Sequence, residues 1–167
     1  MLWNLIARFL AQPNVAAWII RRAMRRPYDF LVIEHGRIIK MPNDYQPDYY
    51  GHTGYMRRWH LLCLHHVLEI RVHNIMAPDP GRDMHSHPWP FRTFILRGGY
   101  LERRQSHAGT ISRIRAPGDT SSMDRQAVHC VEQVAPDTWT LFVAFGRRGK
   151  WGFRVGGKMV DHKEYHG

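Results

Sequence analysis

The chain has 167 residues, of which 44% are apolar and 23% charged, values that exclude a disordered or low-complexity chain and suit one domain with its own core. A formal charge of +10, carried by 20 arginines and 4 lysines, points to an anionic partner: nucleic acid, anionic lipid or a small anionic molecule. The arginine preference favours planar, bidentate contacts to carboxylate or phosphate. Because the arginines are spread along the whole chain, nucleic-acid binding is the weaker of these expectations. Two cysteines, Cys63 and Cys130, build neither a disulfide framework nor a paired zinc motif, so reduced thiols in a cytoplasmic protein are expected.

In chain order, the first expected elements are helical. Leu2, Leu5, Ile6, Phe9 and Leu10 follow i, i+3, i+4 spacing. Pro13 and Asn14 punctuate, with Asn14 as the expected N-cap of a second helix carrying Val15, Trp18, Ile19 and Ala23 on one face. Arg21, Arg22, Arg25 and Arg26 complement the dipole at its C-terminal end, and Pro27 closes it. Residues 1–26 are therefore expected as a helical arm that packs on the rest of the chain or forms a dimer contact. Membrane-surface or nucleic-acid binding is the alternative use of the arm. Its longest apolar run, Val15 to Ile20, is far too short to cross a bilayer, and neither a signal peptide nor a transmembrane helix is expected.

From residue 28 the period becomes that of strands. Tyr28–Glu34 and Arg37–Met41 flank His35-Gly36, which reads as a hairpin turn. A loop is expected from Pro42 to Gly54. Further strands are expected over 55–63, 67–76, 91–97, 99–105, 110–115, 127–134, 138–146 and 151–155. Short strands without intervening helices define a mainly β fold, a sandwich or barrel spanning 27–167.

The residues most able to carry chemistry lie at Asp83-Met84-His85-Ser86-His87-Pro88-Trp89. On an extended strand, positions two apart face the same way, so His85 and His87 can aim both imidazoles at one point. Neutral imidazole is the commonest protein ligand for Zn, Fe, Ni or Cu. After them come the strand Phe91–Arg97, Gly98-Gly99, and then Gly118-Asp119 ahead of His129.

This layout resembles the cupin superfamily, with a first motif of roughly HxH(x)3–4E(x)6G and a second of Gly-Asp followed about ten residues later by a strand-opening His. His85, His87 and Gly98 match the first, and Gly118-Asp119 and His129 the second. The stretch is also similar to uncharacterised bacterial and phage cupin-like proteins through Tyr55-Met56-Arg57-Arg58-Trp59, HxHPW, Ile95–Tyr100 and Trp139–Phe142. The family's glutamate ligand falls at Phe91 or Arg92, and neither can take that part.

The resemblance implies a jelly-roll β-barrel and a divalent metal, iron first and Zn, Ni or Mn as alternatives, held by His85, His87 and His129. Three protein ligands with open positions is the arrangement of catalytic rather than structural centres. His73, Asp83 and Glu102 are candidate further ligands or partners of the ligands. The expected activity is that of a metal-dependent enzyme of the non-haem iron oxygenase kind acting on a small anionic molecule. Two alternatives stand beside it: a metal-free epimerase or isomerase with His85 or His129 as general base, and a non-enzymatic ligand- or nucleic-acid-binding module. A homodimer is in keeping with such barrels.

Arg92, together with Arg71, is a candidate for binding the anion if it turns inward. Trp59, Trp89, Trp139 and Trp151, with Tyr55 and Tyr100, either line a ligand cavity or fill the core. Cys130 follows His129 directly and is expected to face the other way as a buried thiol. His65 and His66 are adjacent on a strand and point to opposite faces, so they cannot chelate together.

Overall fold

The computed structural model describes residues 1–42, 53–64, 67–81, 83–146 and 149–165. His65, His66, Arg82 and most of the loop expected over 42–54 lie outside the described residues. Two helices, α1 (Leu2–Leu10) and α2 (Pro13–Met24), lead into the strands. These are β1 (Tyr28–Glu34), β2 (Arg37–Met41), β3 (Thr53–Leu64), β4 (Leu68–Ile75), β5 (Met84–His85) and β6 (Phe91–Arg97). There follow β7 (Tyr100–Ser106), β8 (Gly109–Arg115), β9 (Thr120–Met123), β10 (His129–Val134), β11 (Thr138–Phe145), β12 (Gly152–Val155) and β13 (Lys158–Asp161).

The strands form two antiparallel sheets, a seven-stranded one in the order β2-β1-β3-β4-β11-β6-β9 and a six-stranded one in the order β13-β12-β5-β10-β7-β8. The mainly β jelly-roll expectation is met. His35 and Gly36 both have positive φ, 48° and 73°, the turn geometry that suits the twist of a two-residue hairpin. Gly98-Gly99 is the corner at which the chain passes from β6 in one sheet to β7 in the other. A Cβ on Gly98 would stand 2.6 Å from the Thr138 backbone, and one on Gly99 2.3 Å from the Arg115 carbonyl oxygen, so only glycine fits. Thr138 Oγ1 secures the corner by accepting from the Gly99 N–H at 3.0 Å.

Three strands escaped the sequence reading. β5 has two residues, β9 is a Thr-Ser-Ser-Met run with little apolar signal, and β13 follows a Gly-Gly turn. Each is specified by the strand beside it rather than by its own composition.

The helical arm also departs from expectation. Gln12, not Asn14, is the N-cap of α2, and Pro13 takes the first helical turn, where its missing N–H costs nothing. The buried stripe is Ala16, Ile19, Ile20 and Ala23, whereas Trp18 is 62% exposed. Two small alanines let the helix approach Trp59 and Trp139, whose rings stack at 5.3 Å beneath it. Burying the two isoleucines contributes about 1.5–3 kcal/mol each. In α1 only Ala7 is fully buried, and Leu2, Leu5 and Phe9 remain exposed. Trp59 and Trp139 are thus core residues under α2.

Candidate functional site

Between the two sheets lies a cavity of about 350 Å³, a size suited to a small molecule. Strand alternation decides which side chains face it. On β4, Arg71 and His73 point inward. Directly opposite His73 in the neighbouring ladders are Arg58 of β3 and Thr140 of β11, and opposite Arg71 stands Phe142. All five line the cavity. The six-stranded sheet supplies His85 from β5, Tyr100 from β7 and His129 from β10.

His85, His87 and His129 converge at one end. Their ring centroids are 4.9–5.0 Å apart, and one nitrogen from each lies within 4.8 Å of the others. β5 stops at His85, so His87 comes from the following loop rather than from a continuous strand. The alternation survives because Ser86 is pinned outward: its N–H donates to the Gly152 carbonyl at 2.9 Å, and its Oγ accepts from Gly152 N–H at 3.1 Å. His129 is placed opposite His85 in the β10–β5 ladder. The Nε2 atoms of His87 and His129 are 2.8 Å apart.

Behind His129 stands Glu102, 1% exposed. Its Oε1 lies 2.8 Å from His129 Nδ1 and accepts from Arg104 at 2.8 Å, and its Oε2 accepts from Arg115 at 2.7 Å. Burial alone would raise the Glu102 pKa, but the hydrogen bonds and charges of His129 and Arg104 outweigh it and bring it to about 2. An ionised Glu102 accepts the proton of His129 Nδ1, which turns Nε2 of that ring toward the cavity. Burial likewise lowers His85 to about 4, with Asp79 opposing and His129 adding to the shift, and holds His87 well below its ordinary value. Neutral imidazoles with fixed tautomers are the donor set a divalent metal takes.

Asp79, which the sequence reading did not single out, is the second carboxylate at this end. Its Oδ2 is 3.7 Å from His85 Nδ1 and accepts from Val131 N–H at 2.7 Å, while Tyr55 O–H donates to Oδ1. Asp79 sits between Pro78 and Pro80, a context that reads only as a turn, so no local signal marked it.

The other polar residues divide clearly. His73 and Tyr100 line the cavity. His73 stacks on Phe142 at 5.1 Å and has a buried Nε2 with no hydrogen-bond partner. Burial and the charges of Arg58 and Arg71 keep it neutral by pushing its pKa well down. Asp83 accepts from Tyr165 O–H at 3.0 Å and is not part of the cavity wall. Arg92 does not turn inward. Its neighbours Phe91 and Thr93 take the inward positions, so Arg92 lies on the outer face, 3.3 Å from Thr120 Oγ1 and 4.6 Å over the Trp3 ring. Trp89 and Trp151 line the cavity, as does Tyr55. Cys130 is buried and Cys63 exposed, both as free thiols.

Arg58 is the second residue not anticipated as a site residue. Arg57 and Arg58 are adjacent on β3, so one of them must face inward; Arg57 lies over the Phe30 ring and Arg58 enters the cavity. That pairing was the available signal.

No protein-family model matches the chain, and no curated protein matches it. Among solved structures, the DMSP lyase DddQ from Ruegeria pomeroyi DSS-3 aligns with a TM-score of 0.57 at 15% identity, over 94% of this chain and 71% of that one. KdgF from Halomonas sp. aligns with a TM-score of 0.45 at 15% identity, over 56% of this chain and 82% of that one. Fe(II) HppE aligns with a TM-score of 0.46 at 15% identity, over 69% of this chain and 64% of that one. The likeness to DddQ is one of fold, a cupin-type jelly roll. No helix among the described residues is long and apolar enough to cross a membrane.

Proposed function

We propose that this protein is a metal-dependent enzyme of the cupin type that acts on a small anionic molecule, with iron the first metal to test and oxygen-dependent chemistry the first reaction class. The observation that carries this reading is the convergence of His85, His87 and His129 in the wall of one cavity. A divalent metal bound there supplies a Lewis-acid centre with positions open to a small ligand. His85, His87 and His129 are the proposed ligands. Glu102 holds the His129 tautomer, and Asp79 stands behind His85 as its partner. Phe91, edge-on to His87 at 4.6 Å, and Trp151 beside His85 keep bulk water from the histidines. The two free cysteines fit a reducing, cytoplasmic setting.

The test is elemental analysis of the purified protein beside the His85→Ala/His87→Ala double variant. About one equivalent of Fe, Mn, Ni or Zn per chain, lost in the double variant, is expected. A wild-type protein that takes up no metal after anaerobic loading with each of the four ions refutes the reading. A specific observation then favours a metal-free isomerase or epimerase: the Glu102–His129 pair has the carboxylate–imidazole arrangement of a general base.

A further inference from the structure

The seven-stranded sheet brings to the cavity wall a cation that no described carboxylate pairs with. Arg58 lines the cavity, its Nε is buried without a partner, and no described carboxylate or carbonyl accepts from its guanidinium. Two carboxylates stand close but are already engaged. Asp29, opposite Arg58 in the β1–β3 ladder, binds Lys40 at 2.6 Å and His60 at 3.1 Å. Glu69 binds Arg71 at 2.7 Å and His60 at 2.9 Å. Of the two arginines that line the cavity, Arg71 is therefore ion-paired with Glu69, whereas Arg58 pairs with no described carboxylate. Beside it, the neutral His73 offers a buried ring nitrogen that also lacks a partner. An unmatched cation and an unmatched polar atom side by side are costly unless something fills them.

We propose that Arg58 and His73 bind the carboxylate of a small monoanionic substrate whose apolar body lies against Phe142, which reaches from His73 toward His87. The inference rests on the reading of this cavity as a substrate site. Its chemistry selects the ligand class. Guanidinium matches carboxylate bidentately, and Arg58 is the one lining arginine that pairs with no described carboxylate, so a phosphate dianion would bring a second negative charge with no cation of the wall to meet it. The lining between the two ends is aromatic and aliphatic, so it accepts hydrocarbon rather than a second polar group.

The test uses metal-free full-length protein, so that it stands or falls separately from the three-histidine reading. Calorimetric titrations with benzoate and hexanoate are compared with neutral benzamide and with phenyl phosphate. At least one monocarboxylate is expected to bind, and Arg58→Gln to weaken it by tenfold or more, a factor within the strength of one charge-assisted pair. Benzamide is expected to bind at least tenfold more weakly than benzoate. The unliganded Arg58→Met variant should melt a few degrees higher than wild type, because about 1 kcal/mol moves a domain of this size by roughly 2–4 °C and an unpaired buried cation is lost. The proposal is overturned by no monocarboxylate binding at about 10 mM, by benzamide matching benzoate, or by Arg58→Gln binding like wild type. A lowered Tm in Arg58→Met overturns it as well, since Arg58 would then be structural. Phenyl phosphate binding more tightly than benzoate overturns the monocarboxylate class.

Discussion

The histidine and arginine sides of the cavity, built on different sheets, treat charge in opposite ways. At the histidine end a carboxylate stands behind two of the three rings: Glu102 behind His129, and Asp79 behind His85. Glu102 is itself enclosed by Arg104 and Arg115, so its charge is closed off and the ring nitrogens face the cavity. At the arginine end the order is reversed. The carboxylates Asp29 and Glu69 are consumed by Lys40, His60 and Arg71, and Arg58 faces the cavity as an open cation. The first arrangement suits a species that brings positive charge, and the second a species that brings negative charge. A shared cavity between them suits a molecule anchored at one end and presented at the other.

The largest expected effect breaks the histidine end. Glu102→Ala removes the common acceptor of His129, Arg104 and Arg115 from a site 1% exposed, leaving buried donors unpaired. A loss of about 3–5 kcal/mol is expected, read as a drop in Tm or as failure to fold. Glu102→Gln keeps an acceptor and should retain the fold while lowering metal affinity about 10–100-fold. A Glu102→Gln protein with unchanged metal affinity would show that the carboxylate does not orient His129.

An intermediate effect tests the arginine end through pH. The Glu69 pKa is raised by burial but lowered more by its hydrogen bonds and charge interaction with Arg71 and His60, so it lies below its ordinary 4.5 in the folded protein. A depressed carboxylate contributes stability that is present above pH 4.5 and lost as pH falls below it. Acid denaturation followed by circular dichroism should therefore be less steep below pH 4.5 in Glu69→Gln than in wild type. Parallel curves would remove Glu69 from the charge balance of this end.

The smallest effect comes from the outer face. Arg92→Ala loses a contact with Trp3 and a long hydrogen bond to Thr120, so a stability change under about 1 kcal/mol is expected. Carboxylate affinity in the same titrations should stay within about twofold of wild type, a difference under about 0.5 kcal/mol. A tenfold loss on Arg92→Ala would return the anion site to Arg92.

The contrast between Arg92 and Arg58 shows where local reading runs out. Both arginines lie on strands, and only register says which faces inward. For Arg92 the turn at Pro88–Pro90 hides the parity, and the ladder with β11 resolves it by placing Val143 opposite Arg92 and Thr93 opposite Phe142. For Arg58 the ladder opposite His73 does the same. Likewise His87 was legible as a partner of His85 by spacing, although β5 ends at His85, and the alternation is kept because Ser86 is fixed to Gly152 from a distant part of the chain.

The sequence by itself determined the β character and the His-x-His pair, because strand alternation acts over a few residues, while Gly98 and the later histidine of the cluster, His129, came from the resemblance to the cupin motifs. Tertiary structure decided that Glu102, of the three candidate partners, is the one that buttresses His129, and it alone showed that Asp79 stands behind His85 and that Arg58 is the inward arginine that pairs with no described carboxylate. Those are properties of pairing between strands distant in sequence. A carboxylate's partner, or the lack of one, is set by which ladder it lands in.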